Sequence, residues 1–414
     1  MPKTMPIGTR VKLSAMMFLQ FLMFAVFWAA LAPYITNQGE GWAMWKPWIL
    51  STMALGSLAS PLMGMFADRY FNAEKVLAIS NVVCAAMLFM TARATSGLEV
   101  FVCLLIALLF YMPTWGLTAA IAMSNSPAEQ FPQIRVFGTI GWVSSVLFGL
   151  VGMHAFNVKI DGTNIPFYCG AGAAIAAALV AWMCPATPPK GKGQPFSVID
   201  ALGLRALSML KDKNFAVFIF VTLVAMIPFN IHFAFLGDFL ASKGFQQVTA
   251  VSYIGQAAEV FCMLLVTWAM RKFGVKWSII AGLVALTIRY VAYYFAAGDM
   301  TSLVYIGILI HGVIFGFFVV GGQVYVGKTA SADMQGQAQG FYALMAFGVG
   351  SFIGTFFNDA LIKFYTKPEV LQGGTHVLKG NWESVWLVTL VCAVVCTVVM
   401  AVLFNPKLEE KKDA

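Results

Sequence analysis

The stretch Pro185-Ala-Thr-Pro-Pro-Lys190-Gly-Lys-Gly-Gln-Pro195 interrupts an otherwise apolar chain and opens a polar segment, residues 185–213, rich in Pro, Gly and Lys. Such a composition breaks regular structure and marks a connection between two bodies. A helix needs ~20 apolar residues to cross a hydrocarbon core of ~30 Å. Reading outward with that window gives six runs before the segment, near 11–35, 46–67, 74–93, 98–123, 136–155 and 165–184. Six more follow, near 214–240, 247–271, 276–296, 300–326, 334–364 and 383–404. The expectation is an all-α membrane protein of twelve transmembrane helices in two six-helix halves. These are an N-terminal bundle over 1–184, a linker over 185–213 and a C-terminal bundle over 214–414.

The bulk numbers agree. The 414 residues are 60% hydrophobic and 11% charged, with a mean hydropathy of +0.80. A soluble domain carries about 25% charged residues, so this chain takes lipid as its solvent. The net charge of +8 could suit nucleic acid, but the basic residues stand singly between apolar runs and build no patch with interleaved aromatics. Nucleic acid is therefore excluded as a partner. The cations read instead as topology, because cytoplasmic segments carry the Lys and Arg excess. Both terminal clusters, the linker lysines, Arg69 and Lys75, and Arg271, Lys272 and Lys276 fall on one side. The other side holds fewer, Lys46, Lys159, Lys243 and Lys363 among them. Both termini and the linker are expected in the cytoplasm. The first apolar run is too long for a signal peptide and lacks a small-residue cleavage site, so it is expected to stay as the first helix.

Two sixes joined by a basic linker are the layout of a transporter whose halves rock about a central site. An enzyme would need a nucleophile with its base, a metal cluster or a phosphate loop. The sequence holds no Gly-rich phosphate motif, no His-x-x-x-His and no Ser-centred elbow. Its seven cysteines lie in apolar runs without a Cys-x-x-Cys pair, which reads as core packing rather than a metal site. No enzyme activity, cofactor or metal is expected, and a transporter-like receptor remains a minor alternative.

Short motifs carry a resemblance. The connection after the second run reads Gly64-Met-Phe-Ala-Asp68-Arg69, which resembles the G-x-x-x-D-R signature of the major facilitator superfamily. Asp68 and Arg69 would then act as gating residues that steady one conformer against helix ends. Longer stretches resemble one branch, the bacterial nucleoside:proton symporters. They are Tyr111-Met-Pro-Thr114, Phe131-Pro-Gln-Ile-Arg135-Val-Phe-Gly-Thr139-Ile-Gly141, Gln256-Ala-Ala-Glu259 and Gln337-Ala-Gln-Gly340. The resemblance implies a monomer of the bacterial inner membrane that imports nucleosides with protons by alternating access. A sugar or sugar derivative is the alternative solute.

Polar groups deep in a membrane are costly and mark pathways. Arg135, Thr139 and Trp142 stand at i, i+4 and i+7, so a cation, a hydroxyl and an indole share one helix face. Tyr253, Gln256 and Glu259 stand at i, i+3 and i+6. Glu259 lies about 18 Å, twelve residues at ~1.5 Å each, from the basic Arg271 and Lys272. A carboxyl near mid-membrane is a candidate proton carrier. Asn230, flanked by Pro228 and His232, and the pair His311 and Phe315 at i and i+4 add further ligand candidates, with Phe315 placed to stack on a base. Gln20 shares a period of four with Phe24 and Trp28 and is a further candidate. The resemblance supports Gln256 and Glu259 as ribose ligands. In that family an acid sits between the aromatics of helix ten, whereas this chain reads Phe315-Gly316-Phe317-Phe318, leaving Glu259 as the main acid. Arg289 falls on a helix expected at the lipid-facing periphery and reads as an interfacial anchor.

Overall fold

The computed structural model describes residues 5–127, 130–189, 198–201, 204–331, 335–371 and 376–406. Its helices follow the apolar runs. We label them α1 Ile7–Asn37, α2 Lys46–Tyr70, α3 Ala73–Arg93, α4 Gly97–Asn125, α5 Gln133–Phe156, α6 Ile165–Trp182 and α7 Lys213–Ser242. One continuous helical stretch, Ile254–Ala297, is broken at Gly274, whose φ of 78° no ordinary side chain adopts comfortably. It supplies α8 over 254–273 and α9 over 275–297. The set closes with α10 Thr301–Thr329, α11 Gln337–Tyr365 and α12 Trp382–Leu403. Among the described residues, ten helices are long and apolar enough by themselves to cross a membrane, and α2 and α8 complete the twelve.

Local chemistry sets the ends and the bends. Ser96 caps α4 by accepting from the Glu99 N–H at 3.2 Å, and Asn381 caps α12 by accepting from Ser384 N–H at 2.9 Å. Pro33, Pro61 and Pro228 lie inside α1, α2 and α7, where each removes one helical hydrogen bond. Two π-helical stretches, Ile314–Val320 in α10 and Leu344–Gly350 in α11, are the local rearrangement that often accompanies a functional site.

A two-stranded hairpin stands where the sequence reads as a plain polar connection between α11 and α12. Strand β1, Thr366–Val370, pairs antiparallel with β2, His376–Gly380, with Thr366 opposite Gly380 and Pro368 opposite Leu378. Pro368 is tolerated because a two-stranded ribbon is all edge.

The chain gathers into two compact units. The first comprises Met1–Phe196, Ile231–Gln256 and Thr355–Gly380; the second comprises Ser197–Asn230, Ala257–Gly354 and Asn381–Ala414. These units cut through α7, α8 and α11 and so do not coincide with the two sequence halves. Specific contacts inside the first unit explain why. Lys46 Nζ on α2 lies 2.5 Å from Asp238 Oδ2 on α7 and donates to Thr36 Oγ1 at 2.6 Å, while Thr36 donates to Asp238 Oδ1 at 2.8 Å. Asp161, in the α5–α6 connection, accepts from Thr249 N–H and Oγ1 at 2.9 and 2.8 Å. Burial pushes the Asp161 carboxyl above its ordinary range against the pull of those hydrogen bonds. His376 N–H donates to Asn37 Oδ1 at 2.9 Å, and Trp48 meets Phe356 edge-on at 4.9 Å.

Candidate functional site

Of the candidate residues, Gln20, Arg135, Thr139, Trp142 and Gln256 fall in the first unit, and Asn230, Glu259, His311 and Phe315 in the second.

In the first unit α5 presents Arg135, exposed, followed by the half-buried Thr139 and Trp142. The guanidinium lies over Phe21 of α1, with Cζ 4.6 Å from the ring centroid, a cation–π contact. Gly138 makes this possible: a Cβ there would sit 2.7 Å from Arg135 Nη1 and 2.9 Å from the Phe21 ring. Phe21 stacks on Trp115 at 5.5 Å, and Phe24 lies 5.6 Å from Trp142 and 5.0 Å from Tyr111. Tyr253, immediately before α8, joins at 5.7 Å from Trp142, and its hydroxyl donates to Ala25 O at 2.7 Å. The result is an aromatic wall with an arginine at one end. Several polar atoms in it find no acceptor or donor among the described residues: the indole N–H groups of Trp28, Trp115 and Trp142, and Gln256 Oε1. Buried polar atoms are normally paired, so these groups suit a polar solute.

Gln20 has a different place. It is fully buried, donating from Nε2 to Thr114 Oγ1 at 2.7 Å and accepting from Asn81 Nδ2 at 2.9 Å, while Tyr111 donates to its backbone carbonyl at 3.0 Å. Both ends of the amide are engaged in tying α1 to α3 and α4.

The second unit brings Glu259, His311 and Phe315 together. His311 Nε2 lies 3.6 Å from Glu259 Oε2, and the rings of His311 and Phe315 stand 6.0 Å apart. A Cβ on Gly312 would meet Glu259 Cα at 2.7 Å, so the glycine lets α8 and α10 approach closely enough for this pair. The carboxylate keeps 17% of its side chain exposed while the imidazole keeps 1%. Phe229 of α7 lies 6.2 Å from the His311 ring; its neighbour Asn230 is half-buried, and a Cβ on Gly354 would stand only 3.3 Å from Asn230 Cβ. Gly316 is a close helix contact, since a Cβ there would stand 3.0 Å from Val266 Cγ2.

One residue departs from its sequence reading. Arg289 is no interfacial anchor: it is wholly buried, donates from Nε to Gly307 O at 3.0 Å, and holds Nη2 3.0 Å from His311 Nδ1. The signal was present in the sequence, since an ion inside an apolar run is a functional candidate by default. His232 is buried in the first unit beside Phe233. At the α2 end Arg69 is half-buried, and the side chain of Asp68 lies outside the described residues.

Mostly helical spans, ten of them among the described residues long and apolar enough to cross a membrane, with ionisable and aromatic groups set inside them, define a membrane transporter of the major facilitator type, not an enzyme. The sequence pattern of the family described as Nucleoside H+ symporter matches residues 7–409, and the chain belongs to that family. It is 33% identical over 405 residues to the putative nucleoside transporter YegT of Escherichia coli K12, covering 96% of this chain and 94% of that protein. To the xanthosine permease of the same organism it is 26% identical over 400 residues, covering 91% of each. A crystal structure of a mutant of the nucleoside transporter NupG superposes with a TM-score of 0.84 at 25% identity, over 96% of this chain and all of that one. The protein is thus a multi-pass inner-membrane transporter.

Proposed function

We propose that this transporter imports nucleosides together with protons by alternating access, acting as a monomer in the bilayer with both termini in the cytoplasm. The relatives named for nucleosides or xanthosine support the solute class, and the basic residues concentrated on the linker side support the orientation. Arg135, Thr139, Trp142 and Gln256 serve as solute ligands, with the indole N–H and the amide oxygen as unengaged partners for hydroxyls and ring nitrogens. Asn230, His311 and Phe315 add hydrogen bonds and a stacking face, and Asp68 with Arg69 acts in gating. The two six-helix sequence halves, 1–184 and 214–414, are the bodies that rock.

One observation carries the coupling. Glu259 is a partly accessible carboxylate set in an apolar helix with a sealed imidazole 3.6 Å away. Such an acid can take a proton from one side of the membrane and release it to the other. Radiolabelled uridine uptake into cells or proteoliposomes, driven by an inward proton gradient and challenged with unlabelled nucleosides or monosaccharides, tests the solute. Competition by nucleosides alone is expected; competition by monosaccharides alone would move the assignment to a sugar or sugar derivative.

A further inference from the structure

We propose that Arg289 is a positioning residue that fixes His311 as the neutral tautomer protonated on Nε2, so that the pair formed by His311 and Glu259 exchanges one proton only, at Glu259. The inference rests on Glu259 being the coupling acid and adds what holds it to a single proton.

Donors and acceptors around the ring decide its tautomer. A guanidinium has five N–H donors and no acceptor. With Arg289 Nη2 3.0 Å from His311 Nδ1, that ring nitrogen must offer its lone pair. The ring proton then sits on Nε2, the atom facing Glu259 Oε2 at 3.6 Å. In a neutral imidazole one nitrogen donates and the other accepts, and the partner of one decides the state of the other.

Arg289 cannot easily step aside. Its Nε is held by Gly307 O at 3.0 Å, one helical turn before His311 on α10. Gly307 itself lets the Tyr293 ring lie against α10, since a Cβ there would be 2.3 Å from Tyr293 Cε1. Arg289, Tyr290, Tyr293 and His311 are all fully buried. A second proton on His311 would have to enter at Nδ1, directly against the guanidinium. Two like charges about 3 Å apart in a medium of low dielectric repel strongly.

The other titratable groups around the pair offer no competing route. Tyr290, on α9, donates its hydroxyl to Pro228 O. Tyr293, also on α9, contributes a ring face toward α10. Cys262, one turn after Glu259 on α8, is a thiol whose ordinary range lies far above that of a carboxyl. Among the described residues no carboxylate is ion-paired to Arg289. In the cycle Glu259 carboxylate takes one proton to become the acid and later gives it up, while His311 keeps its Nε2 proton throughout.

The test is nitrogen NMR on the full-length protein carrying 15N-histidine in lipid nanodiscs, across about pH 5 to 8. The chain has four histidines, and His311 is assigned by comparison with His311→Gln. The expected result is one histidine that keeps the Nε2–H signature, with an unprotonated Nδ1, throughout the range. If all four become doubly protonated at the acid end in the wild type, the proposal fails without need of any variant. In Arg289→Met the His311 signal is expected to titrate, and the proton-to-uridine ratio in proteoliposomes is expected to double. Arg289→Lys, which keeps one donor, should restore the fixed tautomer. An unaltered His311 spectrum in Arg289→Met would also overturn the proposal. Should the Nε2–H tautomer be found while Glu259→Gln still couples normally, the tautomer assignment stands and the coupling role of Glu259 falls.

Discussion

Among the described residues, two cations are buried in opposite ways. In the first unit Lys46 meets its carboxylate directly, with Asp238 at 2.5 Å and both side chains nearly sealed, at 7% and 1% exposure. In the second, Arg289 reaches a carboxylate only through His311, and that carboxylate, Glu259, is partly exposed. The direct pair ties α2 to α7, and removing either partner would strand the other's charge in an apolar interior. The interrupted pair leaves its acid partly exposed, which is what the coupling role proposed for Glu259 requires, although both pairs look alike as rare ions in oily helices.

Breaking the tie is expected to have the largest effect on stability. Lys46→Met leaves Asp238 buried and unpaired, at a cost of about 3–5 kcal/mol. The double variant Lys46→Met with Asp238→Leu removes both charges and should recover most of that loss. Thermal unfolding of the purified protein in detergent measures both; equal destabilisation by the single and double variants would show that the pair is no tie. On the solute side, Arg135→Ala removes a cation stacked on Phe21 and is expected to weaken uridine binding by about tenfold, or ~1.4 kcal/mol. An unchanged Kd in a calorimetric titration would show that Arg135 is no solute ligand.

The smallest effect concerns Asp161, which contrasts with both clusters as a carboxylate buried on hydroxyl and amide donors alone. Its pKa is raised in the folded state above the ordinary 3.8, with burial the largest cause. A raised carboxyl contributes stability that is present below the unfolded pKa and is lost as pH rises through the folded value. Wild type should therefore lose stability relative to Asp161→Asn as pH climbs from 3.8 upward. A gap between the two melting curves that does not move with pH would contradict this.

Much of this architecture was legible in the chain, for physical reasons that particular residues make plain. Apolar runs of membrane length announce helices, but the polar stretch from Pro185 to Lys213 says nothing of the contacts that draw parts of α7, α8 and α11 into the first compact unit. The spacing of Arg135, Thr139 and Trp142 is local and α5 carries all three, whereas Gln256 and Glu259, three residues apart, fall in different units. What was hidden depends on partners remote in sequence. Lys46 reads as a loop cation, and nothing near it signals Asp238, 192 residues away. Arg289 reads as an anchor because its acceptors, Gly307 and His311, lie on the next helix. Gln20 shares a period with aromatics that do form a wall, yet its amide turns toward Thr114 and Asn81. The β1–β2 ribbon was hidden by polar residues and by Pro368, which suit a loop equally well.

The comparison reduces to whether Glu259 changes its protonation during transport, and uphill accumulation measures that most directly. Proteoliposomes holding wild type or Glu259→Gln are given an inward proton gradient and radiolabelled uridine, with counterflow exchange measured in parallel. Wild type is expected to concentrate uridine above the external level, and the variant to exchange it without concentrating it. A Glu259→Gln protein that accumulates uridine as wild type does would contradict the account.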